Sequence, residues 1–383
     1  MLGACGGAKL GAALWRLGSM GGSCAKLPAA SQPMPKTPVA HPGMSVATSR
    51  ATAALAASAA EGRRLGEAIA ERVIEEETGS VHSRYEFGEQ LGEGSFGTVC
   101  MCRLRSTGAS RAVKTVRKRS LRVVRNLRIE TAALRAMDHP NVVRLYEVFE
   151  DAGNFYFALE AACGGDLYDR IEEQHRLSEV CAAAALRQML LAVDHIHRRQ
   201  IAHRDLKPEN IVFSMAGPSI AECGSLKIID FGMACACADG EELRDMVGTT
   251  RYMAPQVVRR KYDKRCDIWS LGVIAYLMLS GHMPIGGGTE REILLNVREG
   301  RWAFDGAAWE DVGADAKHLV KSLLRKGAES RISVAGALDH VWLEPAAAND
   351  DVAKCSSEWG SPSCGSVSTA APSSSCNSDG SQK

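Results

Sequence analysis

The run His203-Arg204-Asp205-Leu206-Lys207-Pro208-Glu209-Asn210, followed by Asp230-Phe231-Gly232, holds the residue types that phosphoryl transfer requires. Moving a phosphoryl group onto a hydroxyl asks for one carboxylate to receive the hydroxyl proton. It asks for a second carboxylate, with an amide, to hold magnesium on the phosphates. Asp205 fits the first role, and a general base of this kind contributes ~10²–10⁴-fold. Asn210 and Asp230 supply the oxygen donors that a hard cation prefers. Lys207, two residues past Asp205, can neutralise charge on the group being transferred. Each of these alone reads as an ordinary polar loop residue. Their shared order and spacing carry the argument.

A second cluster lies upstream. Leu91-Gly92-Glu93-Gly94-Ser95-Phe96-Gly97-Thr98-Val99 is a G-x-G-x-x-G-x-V loop, in which missing Cβ atoms let backbone amides approach phosphates. The motif is weak by itself, since a glycine-rich hairpin or a dinucleotide loop looks similar. Strand-like stretches flank it on both sides, which argues against the strand-then-helix dinucleotide arrangement. Ala112-Val113-Lys114 follows. A lone strand lysine is ordinarily a surface residue, but Glu130 in the next helical stretch offers it an ion-pair partner.

The elements that must position these groups are legible in outline. Tyr85 to Leu91, Val99 to Leu104 and Arg111 to Val116 read as strands, and Leu121 to Met137 as a helix. Beyond Gly165 the pattern turns helical. Leu186, Leu190, Val193 and Ile196 fall at i, i+4, i+7 and i+10, one stripe of a helix. Strands first and helices later predict an α+β chain, with a small β-rich lobe on a larger α-helical lobe. The apolar run Ile268 to Leu279 is too short for a membrane span and reads as a buried core helix.

Length and composition set bounds. The chain has 383 residues, 45% of them hydrophobic, enough for one large two-lobed domain with flanks. A net charge of +1 offers no basic field for nucleic acid. The 13 cysteines recur in no paired metal spacing and read as reduced core filler.

Residues 1–60 contain no Asp or Glu and are rich in Ala, Ser, Gly and Pro. That composition suits a disordered arm or an organelle transit peptide. Translation from Met20 would expose Gly21 and Cys24 for acylation, although Ala25 stands where that motif wants Ser or Thr. Residues 51–77 are helical in character and end in a Glu71 to Glu77 acidic cluster. The expected division is an arm over 1–84 with a short helix at 51–77, a folded domain over 85–343, and a disordered Ser-rich tail over 344–383. A monomeric cytoplasmic protein is expected.

Further motifs carry a resemblance. They are Asp138-His139-Pro140-Asn141, Leu145-Tyr146-Glu147-Val148-Phe149-Glu150-Asp151, Gly164-Gly165-Asp166-Leu167, Asp267-Ile268-Trp269-Ser270-Leu271-Gly272 and Ala303-Phe304-Asp305. Residues 85–343 resemble a eukaryotic serine/threonine protein kinase of the calcium/calmodulin-dependent group. They are most like the kinase domain of calcium-dependent protein kinases. The roles assigned above are those of the general phosphoryl-transfer template and are carried over by resemblance. The resemblance implies a bilobal fold, ATP in the cleft, Mg²⁺ as cofactor and proteins as substrates. It implies Leu159 as gatekeeper, Glu160 to Ala162 as hinge, and Val99, Ala112 and Val212 around the adenine. Lys207 and Thr249 mark the serine/threonine form. Asp166 and Glu209 are acids that could meet a basic residue upstream of the acceptor, or only the ribose and solvent.

Regulation is read from Arg204 and Asp245. Many kinases place a phosphothreonine near the position of Asp245, and a carboxylate there could pair with Arg204 unmodified. Cys235 and Cys237 raise a redox switch, against which inert small residues are the simpler reading. The chain departs from the family at Gln256, where a glutamate normally pairs with the arginine at Arg331. It departs again at Met283-Pro284-Ile285, and over Lys326 to Ser330. No D-x-[DN]-x-[DN]-G loop and no basic amphipathic calmodulin-binding helix occurs in the sequence, so calcium control is not expected from this chain. The competing expectations are a pseudokinase scaffold, which usually loses one of Lys114, Glu130, Asp205, Asn210 or Asp230, and a small-molecule kinase.

Overall fold

A computed structural model describes residues 80–94, 97–217 and 224–344. The arm before Ser80, with its expected helix at 51–77 and Met20, and the tail from residue 345 onward lie outside the described residues, as do Ser95 and Phe96.

The first part is a five-stranded antiparallel sheet in the order β1-β2-β3-β5-β4. Its strands are β1 (Tyr85–Gly94), β2 (Gly97–Leu104), β3 (Ser110–Arg117), β4 (Leu145–Glu150) and β5 (Asn154–Glu160). Val, Thr, Cys and aromatic residues suit a pleated, half-buried surface. The period of two sends Ala112, Lys114 and Val116 of β3 to one face and Val113 to the other. Ala112 and Val116 join the main core beside Leu127, Leu134, Phe155 and Phe157. Val113 joins a small cluster with Val81, Tyr85, Cys102, Phe149 and Tyr156. Lys114 therefore points inward because its neighbours two residues away are apolar.

Packed structure begins ahead of Tyr85. The short helix Val81–Arg84 is capped by the Ser80 hydroxyl, Val81 is buried, and Arg84 pairs with Glu147. The arm expected to run through residue 84 thus ends in residues that cover the sheet. The helix read over Leu121 to Met137 spans Leu121–Arg135.

The second part is helical. Leu186, Leu190, Val193 and Ile196 lie fully buried along Glu179–Arg198. The helix Cys266–Ser280 is buried on every face, with the fully buried Trp269 in its first turn. It ends at Gly281, whose left-handed φ of 73° and close approach to the His175 carbonyl exclude a side chain. Two small antiparallel pairs, β6 (Ile201–Ala202) with β9 (Cys235–Ala236) and β7 (Ile211–Phe213) with β8 (Leu226–Ile228), hold the loops that carry Asp205 and Asp230. No helix among the described residues is long and apolar enough to cross a membrane.

Candidate active site

Lys114 joins three elements. Its Nζ donates to Glu130 Oε1 at 2.8 Å and to Asp230 Oδ1 at 3.0 Å, and the residue is 2% exposed. Burial alone would push the ammonium down, but the carboxylates of Asp230 and Glu130 outweigh it and hold the group above the ordinary lysine range. Burial likewise opposes the Asp230 charge, and Lys114 overcomes it and keeps the carboxyl low. Glu130, equally buried, is pushed up by desolvation despite Lys114. Asp230 has a left-handed φ of 60°, a conformation a short acid tolerates better than most residues.

Asp205 sits in a tight donor set. The Thr249 amide and hydroxyl donate to its Oδ1 at 2.9 and 2.8 Å, and Lys207 Nζ lies 3.3 Å from its Oδ2. Lys207 also donates to the Thr249 hydroxyl at 3.1 Å. Asn210 Nδ2 donates to the Asp205 carbonyl at 2.8 Å, leaving the amide oxygen of Asn210 available. Gly248 makes this approach feasible. Its φ is 107°, and a Cβ there would stand 2.4 Å from the Arg204 carbonyl oxygen.

Sequence reasoning noted Asp267 only as part of a family motif. The structure gives it a specific task. Its carboxylate accepts from the backbone N–H of His203 at 2.9 Å and of Arg204 at 2.8 Å, with His197 Nε2 2.8 Å away. These bonds hold Asp267 below the usual carboxylate range against its own burial. A single acid opening an otherwise apolar helix was the available signal, since a buried charge must be matched by donors. His203 was also passed over. Its Nε2 donates to the Ile229 carbonyl at 3.2 Å and its ring meets Phe231 edge-on, tying the loop of Asp205 to the segment of Asp230.

Six of the residues expected around ATP belong to one buried cluster. Leu91, Val99, Ala112, Leu159, Ala162 and Val212 are buried in the main core, while Gly92 and Thr98 are partly covered and Glu93 is exposed. Gly94 pairs with Gly97 across the hairpin turn, and a Cβ on Gly97 would strike the Thr115 carbonyl. The side chain of Glu160 is engaged with Lys227 at 2.8 Å, so any hinge role falls to its backbone. Asp166, 4% exposed, caps the helix Leu167–Gln174, and burial raises its carboxyl to about 7. Burial also raises Glu209, whose Oε2 is buried with no hydrogen-bond partner among the described residues.

Arg204 and Asp245 do meet, but loosely. The separation is 3.7 Å, and the Asp245 side chain is 80% exposed. The guanidinium is held more closely by the Met233 carbonyl at 2.7 Å and the Tyr262 hydroxyl at 3.2 Å. Tyr262 in turn donates to the backbone carbonyl of Asp245 at 2.7 Å. The thiols of Cys235 and Cys237 are pushed up by burial, to about 11 and about 12, far from the thiolate that redox chemistry needs.

With this geometry in place, comparison identifies the family. The protein kinase domain profile matches residues 85–343, and the chain belongs to the protein kinase family. Calcium-dependent protein kinase 5 of Plasmodium falciparum (isolate 3D7) is 40% identical over 261 residues, covering 68% of this chain and 45% of its own length. Calcium-dependent protein kinase 4 of Plasmodium berghei (strain Anka) is 36% identical over 280 residues, covering 71% and 52%. These similarities agree with a kinase domain of the calcium/calmodulin-dependent group. The chain spans about half the length of the curated relatives it matches.

Proposed function

We propose that the chain is an ATP- and Mg²⁺-dependent serine/threonine protein kinase. The observation that carries this reading is the hold on three carboxylates by two sets of donors. Lys114 grips Asp230 and Glu130, while Thr249 and Lys207 converge on Asp205. The donor set suits a hard cation, because Asn210 and Asp230 each keep an oxygen that is uncommitted among the described residues. Bound there, Mg²⁺ would draw charge from the phosphates. Lys114 would orient the α- and β-phosphates. Asp205 would receive the hydroxyl proton of the acceptor residue. Lys207 would neutralise the transferring group, and Thr249 would hold Asp205 and shape the acceptor pocket.

A preference for a basic residue upstream of the acceptor follows from Asp166 and Glu209. Both carboxyls are raised by burial, and Glu209 Oε2 lacks a donor among the described residues. A substrate guanidinium would supply that donor. The activation segment is read as held without phosphorylation, supported by the contacts of Arg204 with Met233, Tyr262 and Asp245. Phosphotransfer to an arrayed peptide library, beside Asp205→Asn, with and without calcium and before and after phosphatase treatment, tests all three points. A wild-type chain inert toward every peptide would sink the enzyme reading.

A further inference from the structure

The helix Leu121–Arg135 that brings Glu130 to Lys114 has a second face. At ~100° per residue, Arg125, Arg128 and Arg135 fall within about 40° of Leu121, and Glu130 falls about 180° away. Exposure follows this geometry. Leu121 is 89% exposed and the three arginines are exposed, whereas Leu127, Glu130, Thr131 and Leu134 are buried. Arg117 and Arg119 are exposed just ahead of the helix. Among the described residues, none of these five arginines enters an ion pair, and the one acid of the helix is the buried Glu130.

Like charges three and four residues apart repel by a few tenths of a kcal/mol per pair, so the bare stripe is a local cost. The net charge of the whole chain is only +1, so the stripe is a local concentration of charge and not a property of the molecule as a whole. A helix of 15 residues is ~22 Å long, the span of about seven extended residues. The shape and charge fit a short segment better than a plane.

We propose that this outward face docks an acidic peptide segment of a partner protein, with an apolar residue at one end to cover Leu121. Such a partner would brace from behind the helix that aims Glu130 at Lys114. The test uses the full chain and a fluorescein-labelled peptide of one leucine followed by six glutamates, read by fluorescence anisotropy. Binding should weaken as salt rises. Arg125→Glu with Arg128→Glu should weaken it ~10-fold or more, while Lys321→Glu with Arg325→Glu, an equal charge change elsewhere, should alter it ~2-fold or less. If the Glu pair unfolds, Arg125→Gln with Arg128→Gln decides the matter, with an expected loss of at least ~3-fold. Equal losses in the two pairs, no loss at Arg125 and Arg128, or capture of the chain by phosphatidylserine vesicles without peptide binding would each overturn the proposal.

Discussion

Arg331 Nη2 donates to Gln256 Oε1 at 3.0 Å, and no carboxylate pairs with that guanidinium among the described residues. The arginine is 6% exposed, and burial pulls it down to about 10. Its remaining bonds go to the backbone carbonyls of Arg265 and Arg325. Gln256 completes the knot by donating to the Lys326 carbonyl. The glutamine thus meets the guanidinium with one charge-assisted hydrogen bond and ties the Lys326 carbonyl with a neutral one.

Gln256→Ala should cost ~1–3 kcal/mol, because a buried charged donor loses an acceptor and the Lys326 carbonyl loses a donor. Thermal melting should show a fall of several degrees, with phosphotransfer per folded molecule little changed. Gln256→Glu restores a counter-charge but sets an oxygen against the Lys326 carbonyl, so its gain over wild type should stay under ~1 kcal/mol. That gain should vanish as pH falls through the carboxyl range. A loss of activity from Gln256→Ala without loss of melting temperature would contradict this account.

How much of this was open to reading from the chain differs from place to place. The Lys114–Glu130 meeting was legible because a strand-borne lysine and a helix-borne glutamate stood in a recognisable order. The stripe Leu186, Leu190, Val193 and Ile196 was legible because burial follows period. The looseness of Arg204 and Asp245 was not, since sequence shows charges and not distances. Tyr262, which takes the nearer place beside Arg204, lies in a stretch whose pattern says nothing about a tyrosine hydroxyl. The packing of Val81 ahead of Tyr85 escaped for the same reason, a single apolar residue being too short a signal.

Removing the Thr249 hydroxyl should cost more than its size suggests. Thr249→Val deletes a donor to the Asp205 carboxylate, and a hydrogen bond to a charged group is worth ~1.5–3 kcal/mol, or about 10–100-fold in rate. Thr249→Ser should recover most of kcat. Steady-state phosphotransfer to one peptide measures both, and equal defects in Val and Ser would mean the hydroxyl is not the active feature.

Asp245→Ala should lower kcat only ~2–3-fold, because an exposed pair at this distance contributes under about 1 kcal/mol. Tyr262→Phe should cost more, since the hydroxyl links Arg204 to the backbone of Asp245. Activity measured before and after phosphatase treatment should be the same. Silencing by phosphatase would refute a segment held without modification.

Substrate affinity should depend on pH near neutrality. The folded-state carboxyl of Asp166 titrates at about 7, above its ordinary value of 3.8, so it is protonated below that pH and charged above it. The raised value means ionisation costs stability as pH rises through this window, and a bound arginine would recover that cost. KM for a peptide with an upstream arginine should therefore rise as pH drops from 8 to 6, roughly two pH units across that titration. KM for the same peptide with alanine at that position should stay flat. Parallel curves for the two peptides would remove Asp166 from substrate binding.

Asp267 lies at the start of the most deeply buried helix and accepts the amides of two consecutive residues immediately before Asp205. The loop proposed to bear the chemistry is consequently anchored to a helix buried along its whole length, which should be among the last parts of the molecule to come apart. Amide protons of His203 and Arg204 should exchange with solvent only when the whole domain opens, as slowly as those inside Cys266–Ser280. Heat should then take catalytic competence and the core in one step, leaving no temperature at which a folded kinase carries a slack catalytic loop.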